Sequence, residues 1–159
     1  MSNNGLLIFP THQQEWEHNK FKLLELNSTF PIAKLTAKYQ GPHAQAVTDD
    51  YIWTGKHTQP LKHVKVTLTV KYGLFNRSYG KVIDIIYLEG RLWKDSLSDV
   101  VLIGFSYYSG PAFTTHNPKI IPIVPIQRRV KCQCGISKRT QIPLRLGWGA
   151  IIHSCPDRQ

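Results

Sequence analysis

The chain has 159 residues, enough for one domain or two small ones with a real core. Hydrophobic residues make up 42%, a composition that excludes a disordered chain. Lys and Arg total 20 against 10 Asp and Glu, a formal charge of +10 that points to an anionic partner, nucleic acid first.

Leu6–Phe9 is a short apolar run stopped by Pro10, and it predicts a buried strand. Thr11 and Gln14 then have capping-box spacing, which predicts a helix from Thr11 to about Leu26 with Trp16, Leu23 and Leu24 on its inner side. A buried strand turning into a capped helix is a β-α unit of an α/β layer. Ala33, Leu35, Ala37 and Tyr39 alternate with polar residues, as in a half-exposed strand that Gly41-Pro42 ends. Residues 43–60 are polar without periodicity and read as a loop. Asp49 and Asp50 lie there, adjacent acids of the kind that form solvated turns rather than a metal site.

From Val64 the texture becomes β. Val66, Leu68 and Val70 alternate with polar residues, and Gly73–Gly80 reads as a turn. Val82–Tyr87, Val100–Phe105 and Ile120–Ile126 read as further strands, the last at an edge because Pro122 and Pro125 cannot donate to a ladder. Short strands with Gly-rich turns predict a small barrel. Gln127–Thr140 reads as a basic, polar loop, and Leu144–Ile152 as a buried apolar return.

The charge is unevenly placed. No acid occurs between Asp50 and Asp84, where Lys56, Lys62, Lys65, Lys71, Arg77 and Lys81 fall. None occurs between Asp99 and Asp157, a stretch that carries Lys119, Arg128, Arg129, Lys131, Lys138, Arg139 and Arg145. Tyr107, Tyr108 and Phe113 surround Gly110-Pro111 just after a predicted strand. Exposed rings among basic residues stack on bases, whereas rings at a strand end pack into a core.

Other chemistry is thinly supported. A phosphate-binding loop needs Gly, four residues, then Gly-Lys-Ser/Thr; the nearest approach, Gly80-Lys81-Val82, has Phe75 at the leading position and no hydroxyl. No apolar strand ends in Asp-Glu to hold magnesium, so the parts of phosphoryl transfer are missing. Cys132, Cys134, His153 and Cys155 have zinc-ligand chemistry, but Cys-x-Cys is tighter than the usual spacing and no metal is expected. His153, Ser154 and Asp157 are too close in sequence for a hydrolase triad. No apolar run reaches the roughly 20 residues that span a bilayer, so no membrane partner is expected. Met1–Gly5 has no basic leader and the cysteines are odd in number, which predicts an intracellular setting.

Several runs fall in a recognisable order. Leu7-Ile8-Phe9-Pro10-Thr11 is followed by Asn19 and by Leu23-Leu24-Glu25-Leu26-Asn27. Val66-Thr67-Leu68-Thr69, Gly73–Gly80, Lys81–Tyr87 and Gly110-Pro111-Ala112-Phe113 come next, and Gln141–His153 is last. In this order, over nearly the whole chain, they resemble the second half of Pif-type (petite integration frequency) DNA helicases, members of superfamily 1 related to the Helitron helicases. The resemblance implies an α/β fold with a small inserted β-barrel, an incomplete second RecA-like domain carrying a Src-homology-type barrel. Residues 1–63 would begin the RecA-like domain, 64–126 form the barrel, and 127–159 be a basic loop and a truncated return. It further implies a nuclear or mitochondrial location, single-stranded DNA and the other helicase half as partners, and ATP with magnesium as cofactors of the full-length family but none for this chain alone.

The departures carry as much weight. Arg77 stands where the family's turn has glycine, and Ser154-Cys155-Pro156-Asp157 replaces the Lys-Ser-Gln-Gly that follows the family's histidine. The chain ends before the family's arginine finger. The expectation is a truncated, non-catalytic helicase-like protein that binds single-stranded DNA weakly through Arg77, Lys81, Arg128, Arg129, Lys131 and His153, with no catalytic residues. An incomplete sheet would also leave apolar surface exposed. The alternatives are an inactive transposon-derived relic and a zinc-stabilised interaction module.

Overall fold

The computed structural model describes residues 7–27, 32–41, 51–55, 61–62, 72–74, 78–89, 97–113, 115, 117–132 and 135–151. The predicted strands over 64–70 and the turn residues Phe75, Asn76 and Arg77 lie outside these, as do Cys134, His153 and Cys155.

The opening β-α unit is as the local chemistry dictates. Strand β1 (Leu7–Phe9) stops at Pro10, and helix α1 runs over His12–Asn27. Thr11 caps the helix: its hydroxyl oxygen accepts from the Gln14 backbone N–H at 3.3 Å and donates to Gln14 Oε1 at 3.1 Å. Strand β12 (Gly149–Ile151) returns to lie parallel beside β1, pairing Leu7 with Gly149 and Phe9 with Ile151.

The face that α1 buries is not the predicted one. Trp16 and Leu24 are exposed, together with Phe21, while Glu15, Asn19 and Leu23 are buried. These three positions are four residues apart and so share one stripe of the helix. Asn19 and Glu15 face inward because residues far along the chain satisfy them. Asn19 Oδ1 accepts from the Gly149 N–H at 2.9 Å, and Glu15 Oε2 pairs with Arg145 at 3.1 Å. Only Gly149 fits there, since a Cβ would meet the Phe9 ring at 2.8 Å. His18 packs on that ring at 5.1 Å between centroids. Its burial, and next Lys22, hold the imidazole below its ordinary range, with Glu25 pulling weakly the other way. Leu7 and Ile8 on β1 are also exposed, so the strand forms where expected but is not the buried strand its apolar run predicts. α1 and β12 cover Phe9 and leave the two residues before it open.

The predicted single strand over 33–39 is two strands. Strand β2 (Ile32–Thr36) pairs antiparallel with β4 (Tyr51–Gly55), and β3 (Lys38–Gln40) pairs with another sheet altogether, with buried Ala37 between them. β4 corrects the loop expected over 43–60: Ile52 and Trp53 form a ladder with Leu35 and Lys34. Leu35 therefore joins the main core and not the layer around β1. That core gathers Leu35, Leu74, Val82, Val101, Ile103, Phe105, Ile121, Ile142 and Leu144. Val82, Val101, Ile103 and Ile121 lie on a three-stranded antiparallel sheet of β6 (Lys81–Ile86), β7 (Val100–Gly104) and β8 (Ile120–Ile123). β8 is an edge strand, as Pro122 predicts: Pro122 sits opposite Leu102, and no further strand pairs with β8 among the described residues, while Pro125 falls between β8 and β9 (Ile126–Cys132). The 142–146 segment divides between layers. Ile142 and Leu144 pack into this core, and β11 (Arg145–Leu146) pairs with β5 (Leu61–Lys62) before β12 rejoins β1.

The largest departure lies in the basic segment. Residues expected as a loop over 127–140 form two seven-residue strands, β9 (Ile126–Cys132) and β10 (Gly135–Gln141), paired along their full length as a hairpin with β3 on the far side of β10. Gly135 takes φ +133°, a backbone state open to glycine, where the hairpin turns back.

Candidate nucleic-acid interface

The β9–β10 ladder decides which cations share a face. Directly opposed residues of an antiparallel pair point to the same side, and neighbours along a strand point to opposite sides. Arg128 is opposite Arg139, and Arg129 is opposite Lys138. Tyr39 and Gln40 on β3 extend these two rungs. One face thus carries Arg128 and Arg139, with the Arg139 guanidinium over the Tyr39 ring at 5.5 Å to its centroid. The other carries Arg129 and Lys138. Gln127, Arg128 and Arg129 are all exposed, so β9 meets solvent on both sides.

The expected cluster of Arg128, Arg129 and Lys131 is therefore divided by the pleat: Arg128 and Arg129 face opposite ways, and Lys131 lies two residues on, opposite Ile136. Lys138 and Arg139 were missed as site residues because a loop has no register to bring them across. Lys81 is the first residue of β6, half-buried and paired with Gly104, on a different sheet from the ribbon. Arg77 and His153 lie outside the described residues. Gly80 and Lys81 lead into an antiparallel strand, not into the helix N-terminus of a phosphate loop. A Cβ on Gly80 would meet Ile103 at 2.4 Å, so this glycine serves close packing. Cys132 closes β9 opposite Gly135, and among the described residues no group of His, Cys, Asp or Glu is arranged to hold a metal.

The aromatic loop after β7 resolves into two kinds of ring. Tyr108 is buried, edge-on to Tyr72, and its hydroxyl donates to the Pro111 carbonyl at 3.0 Å. Tyr107 is 88% exposed and Phe113 is 59% exposed. Gly73, at φ +79°, packs its backbone beneath this loop: a Cβ there would lie 2.6 Å from the Tyr107 carbonyl oxygen.

Matched by shape, the chain overlays Pif1 helicase from Candida albicans with a TM-score of 0.65 at 19% identity, over 96% of this chain and 37% of that one. The chain has the fold of part of a Pif1 helicase. Bacteroides Pif1 in complex with ADP-AlF4 overlays with a TM-score of 0.57 at 18% identity, over 96% of this chain and 31% of that one. Bacteroides Pif1 bound to single-stranded DNA overlays with a TM-score of 0.55 at 18% identity, over 96% and 32%. The chain spans about a third of the length of these Pif1 structures. No protein-family model and no curated protein sequence matches it. The Pif1-like fold thus rests on shape. It accommodates both the β-α unit with its returning parallel strand and the antiparallel sheets that hold the main core.

Proposed function

We propose that this chain is a nucleic-acid-contacting part of a helicase-like protein, one that binds single-stranded DNA weakly, with little sequence preference, and does not turn over ATP by itself. The small sheets around Val82, Val101 and Ile121 are, in this reading, the barrel carried on a RecA-like layer. The observation that carries the reading is the pair of like-charge rungs in the ribbon. Like charges directly opposite one another destabilise a sheet, yet Arg128 faces Arg139 and Arg129 faces Lys138 on successive rungs. A phosphate lying across the rung on the face that the strand follows removes that repulsion and gains two charge-assisted hydrogen bonds. A protein of the same fold, Bacteroides Pif1, is bound to single-stranded DNA. Lys81, Arg77 and His153 complete the proposed contact set beside Arg128, Arg129, Lys131, Lys138 and Arg139.

Anisotropy of a labelled oligothymidylate tests the proposal. Replacing Arg128, Arg129 and Lys131 by alanine is expected to weaken binding and to flatten the plot of log affinity against log salt by about 0.7 per lost contact. Parent-like affinity with an unchanged slope refutes the site. The ATP part is tested by DNA-stimulated phosphate release, expected at background. Magnesium-dependent turnover that stays with the protein through successive purification steps refutes it.

A further inference from the structure

The loop from Ser106 to Phe113 presents aromatic rings on an unusually well-held frame. Tyr108 N–H donates to the Phe105 carbonyl at 3.3 Å, and Ser109 N–H donates to Tyr72 O at 3.1 Å. The buried Tyr108 ring closes the loop on Pro111, and the Gly110 backbone lies against that ring so closely that a Cβ would stand 2.3 Å from the hydroxyl oxygen. Lys119 donates from its ammonium to the Ser106 carbonyl at 2.7 Å. The loop is held from Ser106 to Pro111, yet Tyr107 within that span is almost wholly exposed, and Phe113, beyond the last of these anchors, is more than half exposed.

A hydrophobic ring held outward by a rigid loop gains nothing for the fold. It does lower the entropy lost when a flat partner lands on it. The charge of this part of the chain selects that partner: the loop lies in the stretch of sequence between Asp99 and Asp157 that contains no acid and seven Lys and Arg, one of which, Lys119, holds the loop at Ser106. Aromatic faces in a cationic setting suit the bases of a polyanion whose bases are unpaired. We infer that Tyr107, with Phe113 as a second face, is a base-stacking platform for single-stranded nucleic acid, working beside the cationic ribbon. The inference rests on the single-strand reading above but makes a separate demand, because it requires bases where the ribbon requires only phosphates.

The test uses two probes of about 12 nucleotides, oligothymidylate and the same backbone with abasic residues. Parent protein is expected to bind oligothymidylate about five- to 150-fold more tightly than the abasic strand, the range that stacking of one base supplies. Tyr107→Ala is expected to remove most of that preference while leaving abasic affinity and both salt slopes unchanged. Tyr107→Trp is expected to keep or increase the preference, which a role of the phenol hydroxyl would not allow. Phe113→Ala gives a smaller loss in the same direction. If Tyr107→Ala keeps the parent's preference, or lowers affinity for both strands together, the platform is refuted while the ribbon stands. If parent binds neither strand, both readings fall. Tyr107 is exposed, so a melting curve like the parent's is expected for its variants, and loss of binding with loss of folding in Tyr107→Ala also counts against the inference.

Discussion

The like-charge rungs of the ribbon make a prediction that joins stability to binding. Arg128 and Arg129 are both exposed on β9, each opposite a cation on β10. At the roughly 5 Å between Cβ atoms of opposed residues, two unit charges in water would repel by about 0.8 kcal/mol, and screening at physiological ionic strength reduces this to about 0.4 kcal/mol. This is the ceiling for a rung, since the Arg139 guanidinium lies over Tyr39 on the far side of β10 from Arg128. Replacing both arginines by threonine removes one member of each rung and leaves Arg139 on its Tyr39 ring. The double variant is expected to be more stable by at most about 0.8 kcal/mol, or up to roughly 2–3 °C in melting temperature for a chain of this size. Threonine's own preference for strands adds a part that does not depend on salt. The charge part is isolated by repeating the melts at about 1 M salt, where the Debye length is about 3 Å and the difference between variant and parent should shrink. The same variant should bind oligothymidylate more weakly, with a log–log salt slope smaller by about 0.7, because a strand following one face meets only one of the two arginines. A gain in stability together with a loss in binding is the signature of cations retained for a ligand. A variant less stable than parent at low salt would refute the repulsion argument. Unchanged binding would show that the rungs face solvent only.

The remaining predictions concern what holds the frame. Glu15 is buried and its partner Arg145 is half exposed, so Arg145→Ala should cost about 1–3 kcal/mol in urea unfolding, the range for leaving a buried polar group without its partner. Gly73→Ala meets both a positive φ and the Tyr107 carbonyl. A loss above about 1 kcal/mol in the same assay is expected, and a neutral result would overturn the close approach. His18 should titrate below the ordinary histidine value of 6.5, because burial and Lys22 disfavour its charge. The unfolded chain then binds more protons in the window just under 6.5. The His18 contribution is therefore full above that pH and is lost as pH falls toward the folded value. Proton NMR titration checks the direction, and His18→Gln should flatten that part of the acid limb relative to parent.

Elements whose cause is local were legible in the sequence. The Thr11 cap, the Pro10 stop, the strands of β6, β7 and β8 and the edge position forced by Pro122 all follow from residues a few places apart. The return of the chain to β1 was legible as an apolar run. The ribbon was not, because hydrophobic alternation reports burial of one face. A strand exposed on both sides, written Gln-Arg-Arg, has no burial to report. β4 escaped for want of periodicity in the polar stretch before it.

What only the tertiary structure decided is which distant groups meet. In the sequence, Trp16, Leu23 and Leu24 mark the inner side of α1, and Glu15 and Asn19 have no part in that face. They are buried instead because Arg145 and the Gly149 N–H, each 130 residues away, satisfy them there. The pleat separates Arg128 from its neighbour Arg129 and gives each a partner from β10. Tyr107 and Tyr108, adjacent in the chain, part in the same way: the Pro111 carbonyl and Tyr72 take Tyr108 inward and leave Tyr107 outside. Composition sets the sign of the charge and the supply of rings, both properties of the unordered chain. Their pairing depends on which backbones lie side by side, and that is settled only when the sheets form.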